Sequence, residues 1–489
     1  MTGQNTAVPG GRRGRITGKA ALAAALTACL LASGCQTTNS LPSWMNGGKS
    51  ESAPPAQPAP QTPAQTAPIQ PPVAQPPAQA PVPPQPAMTS TGELLPVTLS
   101  TDPAADPTAV KIALLAPLSG PSAATGQSLL NAAQLALFDA GNTAVTLKPY
   151  DTRGSADGAA AAASAAVNDG AVLVLGPLFA SSVTAVSPTL KAAHVRALAF
   201  STDAQVASPG IYVSGILASE QARRLVAHAR AQGILRFAAL SPEGAFGRSM
   251  VAAYEQAVIA SGGTMVKTLF HGPNDDLQTK LRAFTDFDTR AATLAAQKKT
   301  LEGKTDPASL EALARLQTQD ATGPLPFEAL LMTASGTPLK EELAVLSAFN
   351  ADGRAVRLMG PMLWNDPALL RDPSLTRAWF PAVPQGPYKS FAQRYQQAFG
   401  DQPTVLSALG YDLTALASVL ARQSGGRAYV DSVLTQSTGF AGANGLFRFR
   451  PDGSNERALA VMENTANGPV VSGEAAASFT ATDAAKPAF

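Results

Sequence analysis

From Val110 onward the chain repeats one unit: a short aliphatic run, a loop rich in Gly, Pro, Ser or Asp, and a segment with apolar residues at helical spacing. Such alternation narrows the architecture to a parallel sheet with helices on its faces. Val110–Ala116 reads as a buried first strand. Pro117, Ser119, Gly120 and Pro121 form a loop, Leu130, Ala133 and Leu137 recur at helical spacing, and Gly141 ends the helix. Further strands are expected over 145–147, 171–175 and 196–200. An Ala-rich helix ending at Asn168-Asp169-Gly170 and a helix starting near Ser181 or Ser182 separate them. Four such units make one doubly wound lobe, whose ligand crevice lies beyond the C-terminal strand ends.

A second lobe follows the same order. A helix over 219–231 stops before Gly233, a strand over 236–240 leads into the loop 241–247, and a helix running to Ser261 is broken by Gly262-Gly263. Strands follow at 264–270, 329–332 and 356–360, with a helix over 339–349. The expected fold is α/β: a two-lobed clamshell over 108–472, each lobe a doubly wound parallel sheet.

The preceding segment has a different composition. No charged residue occurs over 52–92, and fourteen prolines fall between Pro54 and Pro86 in a mixture of Pro, Ala and Gln. Such a stretch buries too little apolar surface to offset its ordering entropy. At about 3.1 Å per residue in polyproline-like extension, 36–106 would reach on the order of 200 Å. Residues 35–107 are therefore expected to be a disordered tether, and 473–489 a disordered tail. Arg12, Arg13, Arg15 and Lys19 precede a small, apolar run over 20–32, the order of a secretory signal. That run is shorter than the roughly 20 residues needed to span a bilayer.

Leu31-Ala32-Ser33-Gly34-Cys35 resembles a bacterial lipoprotein processing site, with 1–34 as the signal peptide and Cys35 as the lipidated residue. Leu26-Thr27-Ala28-Cys29 also fits the motif, but cleavage there leaves an apolar run of barely seven residues. Gln36 is not the aspartate associated with inner-membrane retention, so the resemblance implies a lipid anchor on the periplasmic face of the outer membrane.

Charge and motifs exclude several functions. Basic residues number 36 against 34 acidic ones, too even a balance for a nucleic-acid binder held by bulk charge. Loss of the signal's four basic residues changes the net charge from +2 to −2. Cys29 and Cys35 are the only cysteines, and His194, His228 and His271 lack metal-ligand spacing. Gly303-Lys304-Thr305 has Lys298 where a phosphate loop needs its first glycine. Neither a G-x-S-x-G elbow nor an S-x-x-K with K-T-G is present. The expectation is a non-enzymatic protein without cofactor or metal.

From about Val110 to Val471 the chain resembles type I periplasmic binding proteins of the branched-chain amino-acid receptor kind. The resemblance rests on Ala116-Pro117-Leu118-Ser119-Gly120, Leu175-Gly176-Pro177, Ser201-Thr202 and Ala245-Phe246-Gly247-Arg248. It implies that Ser119, Ser181, Ser182, Ser201 and Thr202 hold a solute carboxylate, although the same residue types suit helix caps and turns. A tyrosine is usual where Phe246 stands, and an acid often follows the Met-Gly-Pro turn where Met362, Leu363 and Trp364 stand. An ammonium site is thus in doubt, with Asn365 and Asp366 as nearby substitutes, while Phe246 and Trp364 suit an apolar or stacking pocket or the core.

The stretch 285–326 is long for this family. It holds a basic helix with Leu294 and Leu301, then an Asp306-Pro307 helix start with Leu310, Leu313 and Leu316, and reads as an inserted helical hairpin. This insertion, 358–367 and Phe447-Arg448-Phe449-Arg450-Pro451-Asp452-Gly453 together resemble the penicillin-binding protein activators. That branch consists of outer-membrane lipoproteins that stimulate peptidoglycan synthases. The resemblance implies a synthase as partner; the broader family implies instead a solute receptor of an ABC transporter, for an amino acid, amide or other small polar ligand.

Overall fold

The structure, a computed structural model, describes residues 95–96, 110–424 and 429–479. The signal, Cys35, most of the tether and the last ten residues lie outside the described residues.

The first lobe begins with β1 (Leu95–Pro96), β2 (Val110–Ala116), α1 (Ala123–Ala140), β3 (Val145–Asp151), α2 (Ala156–Asn168), β4 (Leu173–Leu175), α3 (Ala180–Ala192), β5 (Arg196–Ala199) and β6 (Ile211–Val213). The last five strands form an all-parallel sheet in the order β3-β2-β4-β5-β6. Local sequence sets the helix ends. Ser155 Oγ accepts the Gly158 amide at 3.1 Å to start α2, and Gly141, at φ 55°, ends α1. Gly126 lets α1 lie against the loop after β2, because a Cβ there would sit 2.0 Å from the Pro117 carbonyl oxygen.

The second lobe carries α4 (Ala218–Ala231), β7 (Arg236–Pro242), α5 (Ala245–Ala260), β8 (Thr264–His271), α6 (Leu277–Phe284), α7 (Phe287–Leu301), α8 (Pro307–Gln317), β9 (Ala329–Met332), α9 (Gly336–Ala348), β10 (Arg357–Met359) and β11 (Trp379–Ala382). The chain then returns to the first lobe with α10 (Gln385–Phe399), α11 (Val405–Ser424), α12 (Asp431–Leu434), β12 (Phe440–Gly442), β13 (Gly445–Phe449) and β14 (Asn455–Arg457). It closes on the second with β15 (Ala460–Thr465) and β16 (Gly468–Gly473).

The α/β two-lobed fold is as expected, with additions. The second sheet, β16-β15-β11-β10-β9-β7-β8, is parallel from β11 to β8 but ends in two antiparallel strands. A small third sheet, β1-β12-β13-β14, lies against the first lobe. Leu95 and Pro96, inside the stretch read as tether, pair in parallel with Phe440 and Ala441. Beyond residue 472, Glu474 offers its carbonyl to Arg224, and Phe479 lies under the Arg448 guanidinium. The inserted hairpin is α7 and α8, with Asp306 capping α8 through the Ser309 amide.

Three crossovers join the lobes: 214–217, 383–384 and 458–459. Their side chains Ile216, Val383 and Leu459 pack together with Met362, Tyr388 and Val405 into a small apolar hinge core. The first two crossovers leave from the C-terminal ends of parallel strands, and β15, antiparallel to β11, enters at that same end. The C-terminal edges of the two sheets therefore both border the hinge.

A buried ion cluster braces it. Asn455 Nδ2 donates to the carbonyls of Val213 (2.9 Å) and Gly215 (2.8 Å), and the Arg457 guanidinium donates twice to Ser214 O. Arg457 N donates to Glu220 on α4. Glu456 accepts from Arg448, Arg450 and Arg223. Burial pushes Glu220 up to about 7 and Asp412 up to about 6, while desolvation lowers Arg457 to about 10.

Candidate functional site between the lobes

The loops following the parallel strands of both sheets line the cleft, the usual position of ligands in open α/β sheets. On the first lobe, Asp151 at the end of β3 organises two of them. Its carboxylate accepts the amides of Leu118, Ser119 and Arg153 and the Ser119 hydroxyl at 2.6 Å. Those bonds hold its pKa below the usual carboxylate range against the opposing effect of desolvation.

The five predicted hydroxyls divide. Ser119 is exposed, but its hydroxyl is committed to Asp151. Ser182 is buried and donates to Ser155 O, and Ser201 is buried with Oγ accepting the Asp203 amide, a local turn bond. Ser181 and Thr202 are exposed, and neither hydroxyl makes a hydrogen bond among the described residues. They follow neighbouring parallel strands, Ser181 in the first turn of α3 after β4 and Thr202 in the loop after β5.

On the second lobe, Phe246 lies in the first turn of α5 with 44% of its surface exposed. Trp364 does not line the cleft. It is fully buried in the second-lobe core, with its indole Nε1 donating to Ala334 O at 2.9 Å. Gly360 makes room for it, since a Cβ at 360 would lie 2.0 Å from the ring. The turn that buries Trp364 turns its neighbour outward, and Leu363 is 57% exposed. Sequence reasoning passed over Leu363, whose signal was its place between the Met-Gly-Pro turn and a large aromatic.

Arg153 was also missed. It follows the end of β3 in the left-handed region, φ 52°, rare for a residue with a side chain. Its guanidinium is exposed and has no partner among the described residues. The sequence signal was a basic residue inside an Asp-Thr-Arg-Gly turn.

Among the acids near the second-lobe strand ends, Glu243 pairs with Arg248, whereas Asp366 is exposed and accepts only the Ala368 amide, on Oδ1. Glu342 is fully buried on α9 and bonds His271 Nε2 at 2.7 Å. Burial raises the Glu342 pKa, and this partner raises that of His271. No group of three or more His, Cys, Asp or Glu with metal-holding geometry occurs among the described residues.

Two α/β lobes on three crossovers, with facing strand-end loops, define a two-lobed binding protein. Residues 109–469 match the periplasmic binding protein family, and the chain belongs to it. The family implies a periplasmic location. Three solved structures share the fold. A candidate branched-chain amino acid ABC transporter from Rhodospirillum rubrum is 20% identical over 74% of this chain and 99% of its own, with a TM-score of 0.58. A branched chain amino acid ABC transporter periplasmic ligand-binding protein from Burkholderia xenovorans is 17% identical over 77% and 97%, TM-score 0.55. An ABC transporter substrate-binding protein from Desulfitobacterium hafniense, in complex with Leu, is 16% identical over 74% and 99%, TM-score 0.52. No curated protein matches the sequence.

Proposed function

We propose that the protein is a solute receptor that closes its lobes around a small molecule with acceptor oxygens and an apolar body. On this reading the unpaired, exposed hydroxyls of Ser181 and Thr202 serve the first-lobe side of the cleft and the exposed Phe246 and Leu363 the second-lobe side; the contrast between polar and apolar exposed groups supports it. Oxygens of the solute accept from the hydroxyls, with Arg153 at the outer rim, and the apolar part covers Phe246. Among the second-lobe acids described above, only the exposed Asp366 is left to meet an ammonium, a solvent-screened contact, so a zwitterionic amino acid fits less well than an amide or a simple carboxylate. Calorimetry with amino acids, amides and carboxylates tests this. Binding tighter than about millimolar, weakened by Thr202→Ala and Phe246→Ala, is expected; no binding across the panel overturns it.

A second reading is favoured by the inserted hairpin. No residue of α8 is buried, and Leu310 is 52% exposed, so the hairpin adds surface that solute capture does not use. On this reading the chain is anchored to the outer membrane through Cys35, held out on its tether, and its hairpin binds and activates a peptidoglycan synthase. Crosslinking in cells followed by identification of the captured proteins separates the two. A permease favours the receptor and a synthase the activator. If the purified protein neither binds nor accelerates any peptidoglycan polymerase of the same cell, the activator reading fails.

A further inference from the structure

After β16 the chain leaves the second lobe once more and returns to the first, where contacts alone hold it. Ser472 Oγ on β16 lies 3.0 Å from His228 Nε2 of α4, and Glu474 offers its carbonyl to Arg224 Nη2 at 2.8 Å. The same guanidinium donates through Nε to Leu459 O at 2.7 Å, so Arg224 pins the segment beside the third crossover. Phe479 then reaches the small sheet of the first lobe, where its ring centroid is 4.4 Å from Arg448 Cζ on β13. Gly439, just before β12, leaves room for the ring, since a Cβ there would lie 3.0 Å from it.

The two anchors respond differently to a lobe rotation. Arg224 and Glu474 both belong to the second lobe, so their bond survives it. Between Glu474 and Phe479 stand only small side chains, Ala475, Ala476, Ala477 and Ser478, the last three exposed. Phe479 is half-buried and is the one large apolar side chain of the segment. Arg448 is not free to follow the ring. Its side chain is 3% exposed and is fixed on Glu456 through Nε and Nη2 and on Ser437 O through Nη1. The segment itself extends to at most about 18 Å from residue 474 to 479. A rotation that draws β13 away from α4 must therefore part ring and guanidinium, whose attraction acts only within about 6 Å. A contact made at one lobe angle and lost at others favours the angle at which it forms.

We propose that residues 474–479 are a strap across the hinge, with Phe479 as a latch that holds the lobes near the angle of this structure. The three crossovers permit rotation, whereas the strap biases it and can open. It rests on neither functional reading above. Spin labels on Ser164→Cys of α2 and Lys340→Cys of α9, both exposed positions, report the inter-lobe distance by double electron–electron resonance. The full-length protein also carries Cys29→Ser and Cys35→Ser, so that only the introduced thiols are labelled. With Phe479 in place, one dominant distance is expected. Phe479→Ala should raise the population at other distances at least about threefold, the effect of losing a cation–π contact. Phe479→Tyr, which keeps a ring over Arg448, should retain the dominant distance. Val470→Ala, at an exposed position of β16 outside the strap, should leave the distribution unchanged. The proposal is overturned if Phe479→Ala gives the same distribution as the unsubstituted latch, if Phe479→Tyr shifts it as much as Phe479→Ala, or if Val470→Ala shifts it equally.

Discussion

Glu456→Gln tests whether the buried ion cluster holds the hinge. The Glu456 side chain is 8% exposed, and Oε2 accepts from Arg448 Nε at 2.9 Å, Arg448 Nη2 at 2.7 Å and Arg450 Nη2 at 2.9 Å, while Oε1 accepts from Arg223 Nη2 at 3.1 Å. An amide keeps one acceptor oxygen and places an NH2 against a guanidinium donor on the other side. At least one charge-assisted bond, worth roughly 1.5–3 kcal/mol, is lost. The guanidinium groups also lose the buried anion that compensated them, and breaking a buried pair costs about 3–5 kcal/mol in total. Arg354→Gln is the matched control. Arg354 Nε and Nη2 reach Asp352 Oδ2 at 2.9 and 2.7 Å, nearly the geometry of Arg448 on Glu456, but on a side chain 89% exposed. Exposed pairs contribute little, so this variant should retain the wild-type urea midpoint. Urea unfolding followed by circular dichroism measures both. A Glu456→Gln midpoint equal to that of wild type would refute the reasoning, because it would mean the cluster is solvated in solution.

Glu220 makes stability fall as pH rises: its folded pKa is raised to about 7 by burial, so its contribution is full below 4.5 and is lost as pH passes 7. Glu220→Gln should remove this part of the slope between pH 4.5 and 7 in urea midpoints, with Arg223, Glu456, Arg450 and Arg457 still in place. Gly126→Ala forces a Cβ to within 2.0 Å of the Pro117 carbonyl oxygen and should destabilise by about 1–3 kcal/mol or more, read as a lowered Tm. Trp364→Phe leaves Ala334 O without its indole partner and should cost about 1–3 kcal/mol, with solute binding changed far less than by Phe246→Ala.

The strands with the strongest aliphatic runs were legible to the residue: Val110–Ala116 and Ala329–Met332 have the predicted ends. β3 extends four residues beyond 145–147 because Lys148, Pro149 and Tyr150 lie on an edge strand, where one side needs no apolar cover. β6 was missed: three residues after a 3₁₀ turn carry too little pattern to register. The site was harder to read. A serine after a strand looks the same in sequence whether its hydroxyl meets Asp151, as Ser119 does, or solvent, as Ser181 does. Trp364 and Leu363 exchange expected roles because the side toward which a 3₁₀ turn faces depends on Gly360, whose missing Cβ admits the indole. The cluster of Glu220, Asp412, Glu456 and Arg457 joins residues up to 237 positions apart, beyond any local spacing.

Lobe angle is the coordinate through which cleft and hairpin would communicate, and the structure limits how. The cleft lies between the lobes, so its shape changes with that angle, and a solute binds one angle better than another. The hairpin, in contrast, is built on the second lobe alone. A partner that grips only α7 and α8 meets the same surface at every lobe angle and shifts no equilibrium between open and closed forms. Coupling between solute and partner therefore requires contact with both lobes. Linkage is reciprocal, so such contact would make a saturating cleft solute and the partner change each other's affinity by the same factor. Removing residues 304–318 should then abolish partner binding while leaving solute affinity unchanged. Equal partner affinity with and without solute would mean that the hairpin and the cleft serve independent tasks on one scaffold.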